Sequence, residues 1–236
     1  MPTKWSAISI VLISLMSCPA MAEEVRFSEI KRGAEQGYGE PQCLRGTILL
    51  FMNSIDATMA CDNWNMEVQI PALDFPDDSS RLDQGMEWVR KSAENGFAPA
   101  AKLLADLYAH ADSNWLLGTS DDDADDYKYN NADLFERIKN EEEFAEHIKD
   151  NEKAVKWYHR TAEMEKSKAR SRSYGVLGTI YYRGLLGVRR DYEKALYWYE
   201  RFLENVTDPD ERYTVSGGYS FIPEQRVSAA REKARQ

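Results

Sequence analysis

Cysteine and histidine are scarce here, three of each in 236 residues, and the scarcity removes whole classes of chemistry. His110, His147 and His159 do not stand at ligand spacing from any cysteine, which argues against a metal centre. There is no Gly-x-Ser-x-Gly elbow, no phosphate-binding glycine loop and no His-Glu-x-x-His pair. Aspartate and glutamate pairs are plentiful, but without an identified cleft they do not indicate a glycosidase. An exported enzyme is therefore the remote reading, no cofactor is expected, and each histidine reads as a surface or packing residue.

Long apolar runs are also few. Trp5–Met16 is one, too short to span a bilayer, and no later stretch approaches spanning length. Lys4 precedes it and Ala20-Met21-Ala22 follows as a small-x-small cleavage site, so residues 1–22 read as an export signal and the mature chain as 23–236. The rival reading takes Leu15-Met16-Ser17-Cys18 as a lipobox with Cys18 acylated, although Met16 fits that pattern poorly. Loss of the signal leaves Cys43 and Cys61. Two thiols in an oxidising compartment usually pair, which here would be worth about 3 kcal/mol; the alternative is two separate buried thiols. Asn205-Val206-Thr207 is a glycosylation sequon, which a bacterial type of signal would leave unused.

Positive charge is lacking in the middle of the chain. Residues 112–152 are net −10, residues 23–111 net −7, and residues 153–236 net +6. An acidic centre argues against nucleic acid as the main partner, while the polarity could steer a protein with complementary patches.

What is present is a repeated pattern. Trp88–Tyr108 places Trp88, Ala93, Gly96, Ala100, Leu104 and Tyr108 so that large residues stand at the ends and small ones between, with a central glycine. That describes two helices packed closely across a tight turn, Gly96 closing the first in the left-handed region. A second copy begins at Asn151 and runs through Trp157, Tyr158, Ala162, Ala169, Leu177, Gly178 and Tyr181. Its turn reads as about four residues longer, through the basic stretch Lys166–Arg172. A connector with Gly184, Gly187 and Asp191 then leads into Ala195, Trp198 and Tyr199. Weaker copies flank these at Glu29–Gly37 with Gln42-Cys43-Leu44, and at Pro223–Arg235, the latter a terminal helix that would pair with the Trp198 helix.

These strings resemble the Sel-one-like repeat, a relative of the tetratricopeptide repeat; Val89, Ser92 and Ala105 replace the family's usual Tyr, Ala and Gly. The resemblance implies an all-α fold, a right-handed α-solenoid of antiparallel helix pairs in a single domain over 23–236, with repeats near 26–51, 81–110, 150–182 and 190–236. The aromatic set Trp88, Tyr108, Trp157, Tyr158, Tyr181, Trp198 and Tyr199 is expected to pack between helices.

Two insertions interrupt the repeats, at 52–80 and 112–150. Loops of such length are usually functional or misassigned. The second holds Asp121, Asp122, Asp123, Asp125 and Asp126, then an amphipathic stripe of Leu134, Ile138, Ala145 and Ile148. As a calcium loop starting at Asp121 the run fails where geometry is strictest, with Asp126 in place of glycine and Ala132 in place of the bidentate glutamate. A solvated or partner-facing acidic loop is the default. Trp64 is expected to tuck against the solenoid; Trp115, Phe135 and the acidic run are candidate partner contacts. The resemblance implies work by protein binding in a bacterial periplasm. The expected partner is a secreted antibacterial effector such as a phospholipase, blocked by this chain as its immunity protein, or an envelope signalling protein for which the chain is an adaptor.

Overall fold

A computed structural model describes residues 23–51, 61, 66–69, 79–109, 149–207 and 223–236. They form eight helices in four antiparallel pairs. The first pair is α1 (Phe27–Glu35) with α2 (Gly39–Phe51), the second α3 (Ser79–Glu94) with α4 (Ala98–Ala109). The third is α5 (Asn151–Ala162) with α6 (Lys168–Arg183), the fourth α7 (Tyr192–Asn205) with α8 (Pro223–Ala234). Each helix packs on its sequence neighbours, and α2 on α3 and α6 on α7 are the most extensive contacts. The fold is an all-α repeat solenoid. The sequence reading did not anticipate one addition: β1 (Glu23–Arg26) and β2 (Met66–Gln69) pair in parallel, Glu23 opposite Met66.

The turns inside the first two pairs follow from glycine. Gly37 and Gly96 both have φ of +88°, where a side chain would be strained, and each donates its N–H back to the closing helix, Gly37 to the Ala34 carbonyl and Gly96 to that of Ala93. In the third pair the turn, residues 163–167, is two residues longer than 95–97, where the sequence suggested about four. Ser167 caps α6 by accepting from the Arg170 N–H at 3.1 Å, and Lys168–Arg172 belong to the helix. The basic stretch thus becomes mostly an extra helical turn. Arg170 fastens it, donating to the Met164 carbonyl and to Asn205 Oδ1.

Close approach between pairs is arranged at one repeated position on the second helix of each unit. Gly46 meets Val89 and Gly178 meets Tyr199 so tightly that a Cβ would lie 2.7 Å from Val89 Cγ2 and 2.4 Å from the Tyr199 ring. Ala105 holds the corresponding place in α4. The core divides into two clusters. One spans α1 to α4, with Ile30, Leu44, Ile48, Leu82, Val89 and Leu104 buried; the other is built on Tyr158, Leu177, Ile180, Tyr199 and Phe202. Tyr108 and Trp157 pack against both.

Cys43 and Cys61 are joined by a disulfide, Cα atoms 6.1 Å apart, and both are buried. The bond ties the α2–α3 connection to the middle of α2. Arg81, also buried, donates to the carbonyls of Leu49 and Leu50 at the end of α2, which supplies partners that a helix C-terminus lacks.

Candidate binding groove and inter-repeat joints

Among the described residues, α3 and the start of α5 flank an open groove of about 410 Å³ lined by Asp83, Met86, Glu87, Arg90, Tyr108, Lys149, Asp150 and Lys153. Its charges are largely satisfied within the wall. Glu87 pairs with Arg90 and Lys91, and Asp150 with Lys153 at 2.9 Å. The equivalent hollow between α5 and α7 is furnished differently. His159, which takes the place of Arg90, lies across it with Nε2 3.0 Å from the Tyr181 hydroxyl and its ring edge-on to Trp198 at 5.3 Å. Burial lowers the His159 pKa, Lys194 lowers it further, and Glu163 opposes both.

The rim of the groove is a joint that recurs. The Asp150 N–H donates to the Tyr108 carbonyl at 2.9 Å, and the Asp191 N–H donates to the Tyr181 carbonyl at the same distance. Each aspartate then caps the next helix, Oδ1 accepting from the N–H of Lys153 at 2.9 Å or Lys194 at 3.0 Å. The same lysines reach back over the preceding tyrosines, 5.4 Å from the Tyr108 ring centroid and 5.3 Å from that of Tyr181. Hydrogen bonds and ion pairs to these lysines hold both carboxyl groups below the usual aspartate value.

Below this joint the α4–α5 contact carries a buried polar cluster. Asp106, 3% exposed in its side chain, pairs with Lys102 at 2.7 Å and accepts from the Tyr158 hydroxyl at 2.6 Å. The corresponding bond in the next unit is neutral, Thr179 Oγ1 with the Tyr199 hydroxyl at 3.1 Å.

The aromatic residues divide by depth. Tyr158 and Tyr199 are fully buried, as is Val89 at the matching position. Trp88, Trp157 and Trp198, one residue earlier, are half-buried, because neighbours on a helix point about 100° apart and cannot both face the core. Arg45 and Lys91 cover Trp88 at 4.1 and 4.6 Å, and Arg160 covers Trp157 at 4.6 Å. Packing between helices therefore holds fully for Tyr158 and Tyr199, and only in part for the tryptophans and for the half-buried Tyr108 and Tyr181. Ala93, Ala100, Leu104, Ala162, Leu177 and Ala195 are buried in the helix contacts. Gly184 ends α6 with φ of 74°, and Gly187, at 75°, turns the connector.

Trp64, Trp115, the acidic residues Asp121, Asp122, Asp123, Asp125 and Asp126, and Phe135 lie outside the described residues, as do His110, His147 and the Leu134–Ile148 stripe. Among the described residues no helix is long and apolar enough to cross a membrane, and no three His, Cys, Asp or Glu side chains gather as metal ligands. Neither the groove nor the Asp106 cluster was anticipated. Asp83, Glu87 and Arg90 look like any solvated helix face. For Asp106 a signal existed: Lys102 and Asp106 stand one turn apart within an otherwise apolar helix.

The Sel1 repeat family matches at residues 81–97, 146–165 and 173–205. The chain carries Sel1 repeats. The matched Sel1 segments cover most of α3, all of α5, and the greater part of α6 through the end of α7 with the intact connector between them. No curated protein and no solved structure matches the chain. Sel1 repeats indicate a scaffold for protein–protein interaction, in general a non-catalytic one.

Proposed function

We propose that this Sel1-repeat chain is an exported periplasmic binding protein that blocks a secreted antibacterial effector, such as a phospholipase, as its immunity protein. One observation supports a dedicated partner above all. The two longest connections, 52–78 and 110–148, are successive links from the second helix of one unit to the first of the next, while a shorter one, 206–222, lies inside the fourth pair. The turns inside those units, 36–38 and 95–97, stay short. In a stack of helix pairs such links emerge on one edge, and insertions gathered on one face often mark the binding face. A protein that plugs one active site needs such elaboration; a general peptide-holding groove does not.

The groove between α3 and α5 favours a second reading, an adaptor in envelope signalling that holds its partner in the solenoid itself. Affinity purification from periplasm would supply the partner, and two variants then separate the readings. For an immunity protein, deleting residues 112–148 abolishes inhibition and replacing Met86 and Tyr108 by alanine has a mild effect. For an adaptor the order reverses. Recovery from the membrane fraction of a lipid-linked chain beginning at Cys18 would instead favour acylation there over cleavage after Ala22.

A further inference from the structure

We infer that His159 is a proton-operated strut between the first helices of the third and fourth units. Neutral, it bridges α5 to α7; protonated, it leaves that place and loosens the joint at Asp191. The inference goes beyond the binding role proposed above and holds for either reading of it.

The strut is visible in the geometry. α5 and α7 each pack on α6 but not extensively on each other, and His159 spans the hollow they leave. Its Nε2 lies 3.0 Å from the Tyr181 hydroxyl of α6, and its ring stands edge-on to Trp198 of α7 with centroids 5.3 Å apart. Trp198 is itself held, stacked on Tyr174 of α6 at 5.9 Å. Tyr181 belongs to the joint. Its carbonyl accepts from the Asp191 N–H at 2.9 Å, and its ring lies under Lys194, whose ammonium pairs with Asp191 at 3.0 Å. His159 therefore reaches the joint through a side chain on which the joint closes.

Charge decides when the strut is in place. The charged and titratable groups that face the ring are Glu163 at the end of its own helix, Tyr181 from α6 and Lys194 from α7. Half-burial disfavours the protonated ring most, Lys194 disfavours it further, and Glu163 favours it. A proton thus puts a second cation beside Lys194 in a space partly closed to water. Turning the half-exposed ring out to solvent relieves both penalties. The strut is fully present above the ordinary histidine value and is lost as the pH falls from there through the lower folded value. At the preceding hollow the same position holds Arg90, charged at every accessible pH and paired with Glu87 on its own helix, so a titrating strut is particular to the last two units. A partner lying across α5 and α7 would meet a different surface on either side of the transition.

The test is amide exchange at Asp191, read by NMR in the full chain and in His159→Gln at about pH 7.5 and about pH 5.0. Dividing the parent's rate by the variant's at the same pH cancels the intrinsic pH dependence of exchange. On acidification this quotient should rise about threefold or more, up to the roughly thirtyfold that an open state with an ordinary histidine allows, while the helical circular-dichroism signal stays constant. A smaller rise, or none, overturns the inference. So does a helical signal that falls in step with the exchange, because the fold and not the joint would then be opening. His159→Arg gives a second reading with a permanent cation. At about pH 7.5 its quotient should match that of the parent at about pH 5.0. Protection equal to that of the parent at the higher pH would show that charge does not release the joint, and would overturn the inference as well.

Discussion

His159 is the residue on which burial and charge act together. Its ring is half-buried between Tyr181 and Trp198, and burial foremost, then Lys194, lowers its pKa from the ordinary 6.5. The folded state therefore prefers the neutral imidazole. Stability from this preference is fully present above pH 6.5 and is lost as the pH falls from there through the lower folded value. The thermal midpoint should fall between about pH 7.5 and pH 5.5, and His159→Gln should flatten that fall, as melting curves across the range will show. A parent and variant with parallel profiles would remove His159 as the cause. Gly178 offers a steric test at the same scale. A methyl there would lie 2.4 Å from the buried Tyr199 ring, which has no room to withdraw. Gly178→Ala should cost about 1–3 kcal/mol in urea unfolding, the usual range for overpacking.

At the scale of elements, the three contacts between successive units use one design with different chemistry. The Gly46 and Gly178 contacts are close and mostly apolar; the α4–α5 contact has Ala105, then Asp106 bonded by Lys102 and Tyr158. Removing the Tyr158 hydroxyl deprives a buried carboxylate of a donor, whereas the Tyr199 hydroxyl meets the neutral hydroxyl of Thr179. Tyr158→Phe should thus cost about 1.5–3 kcal/mol and Tyr199→Phe about 0.5–1.5 kcal/mol, compared by denaturant unfolding. Equal losses would mean that the charge on Asp106 is compensated from elsewhere. The helix pairs themselves were legible in the sequence because Gly96, Ala93, Ala100 and Tyr108 each answer a local steric need. The extra turn of α6 was not, because a run of Lys, Arg and Ser reads equally well as loop or as solvated helix until the Ser167 cap decides it.

For the whole molecule, the all-α solenoid and its four pairs were readable, as was the Cys43–Cys61 bond, which followed from reading residues 1–22, with Cys18, as an export signal. Reduction, or Cys43→Ser with Cys61→Ser, should lower stability by about 3 kcal/mol for a sequence separation of 18, read as a shift in the denaturant midpoint. The groove was not readable, because it arises from the stacking of α3 and α5 across an insertion, and residues such as Asp83 and Lys149 gain meaning only once that spacing exists. The parallel pairing of residues 23–26 with 66–69 was equally hidden, since a four-residue strand beside a long connector has no period to detect.

The division of the core into two clusters has a mechanical side. Leucines, isoleucines and tyrosines make each cluster cohesive, and the boundary between them runs through α4 and α5, where Ala105, Ala109 and Ala154 meet beside the Lys102–Asp106–Tyr158 cluster. Small side chains give little grip per contact, and a hydrogen-bonded carboxylate loses its hold over a displacement far smaller than an interdigitated side chain tolerates. The two blocks meet at a contact about as extensive as that between α6 and α7, but polar at its centre. That contact carries the groove on its flank, lined from α3 and Tyr108 on one side and Asp150 and Lys153 on the other, so a molecule filling the groove would lie against both blocks at once.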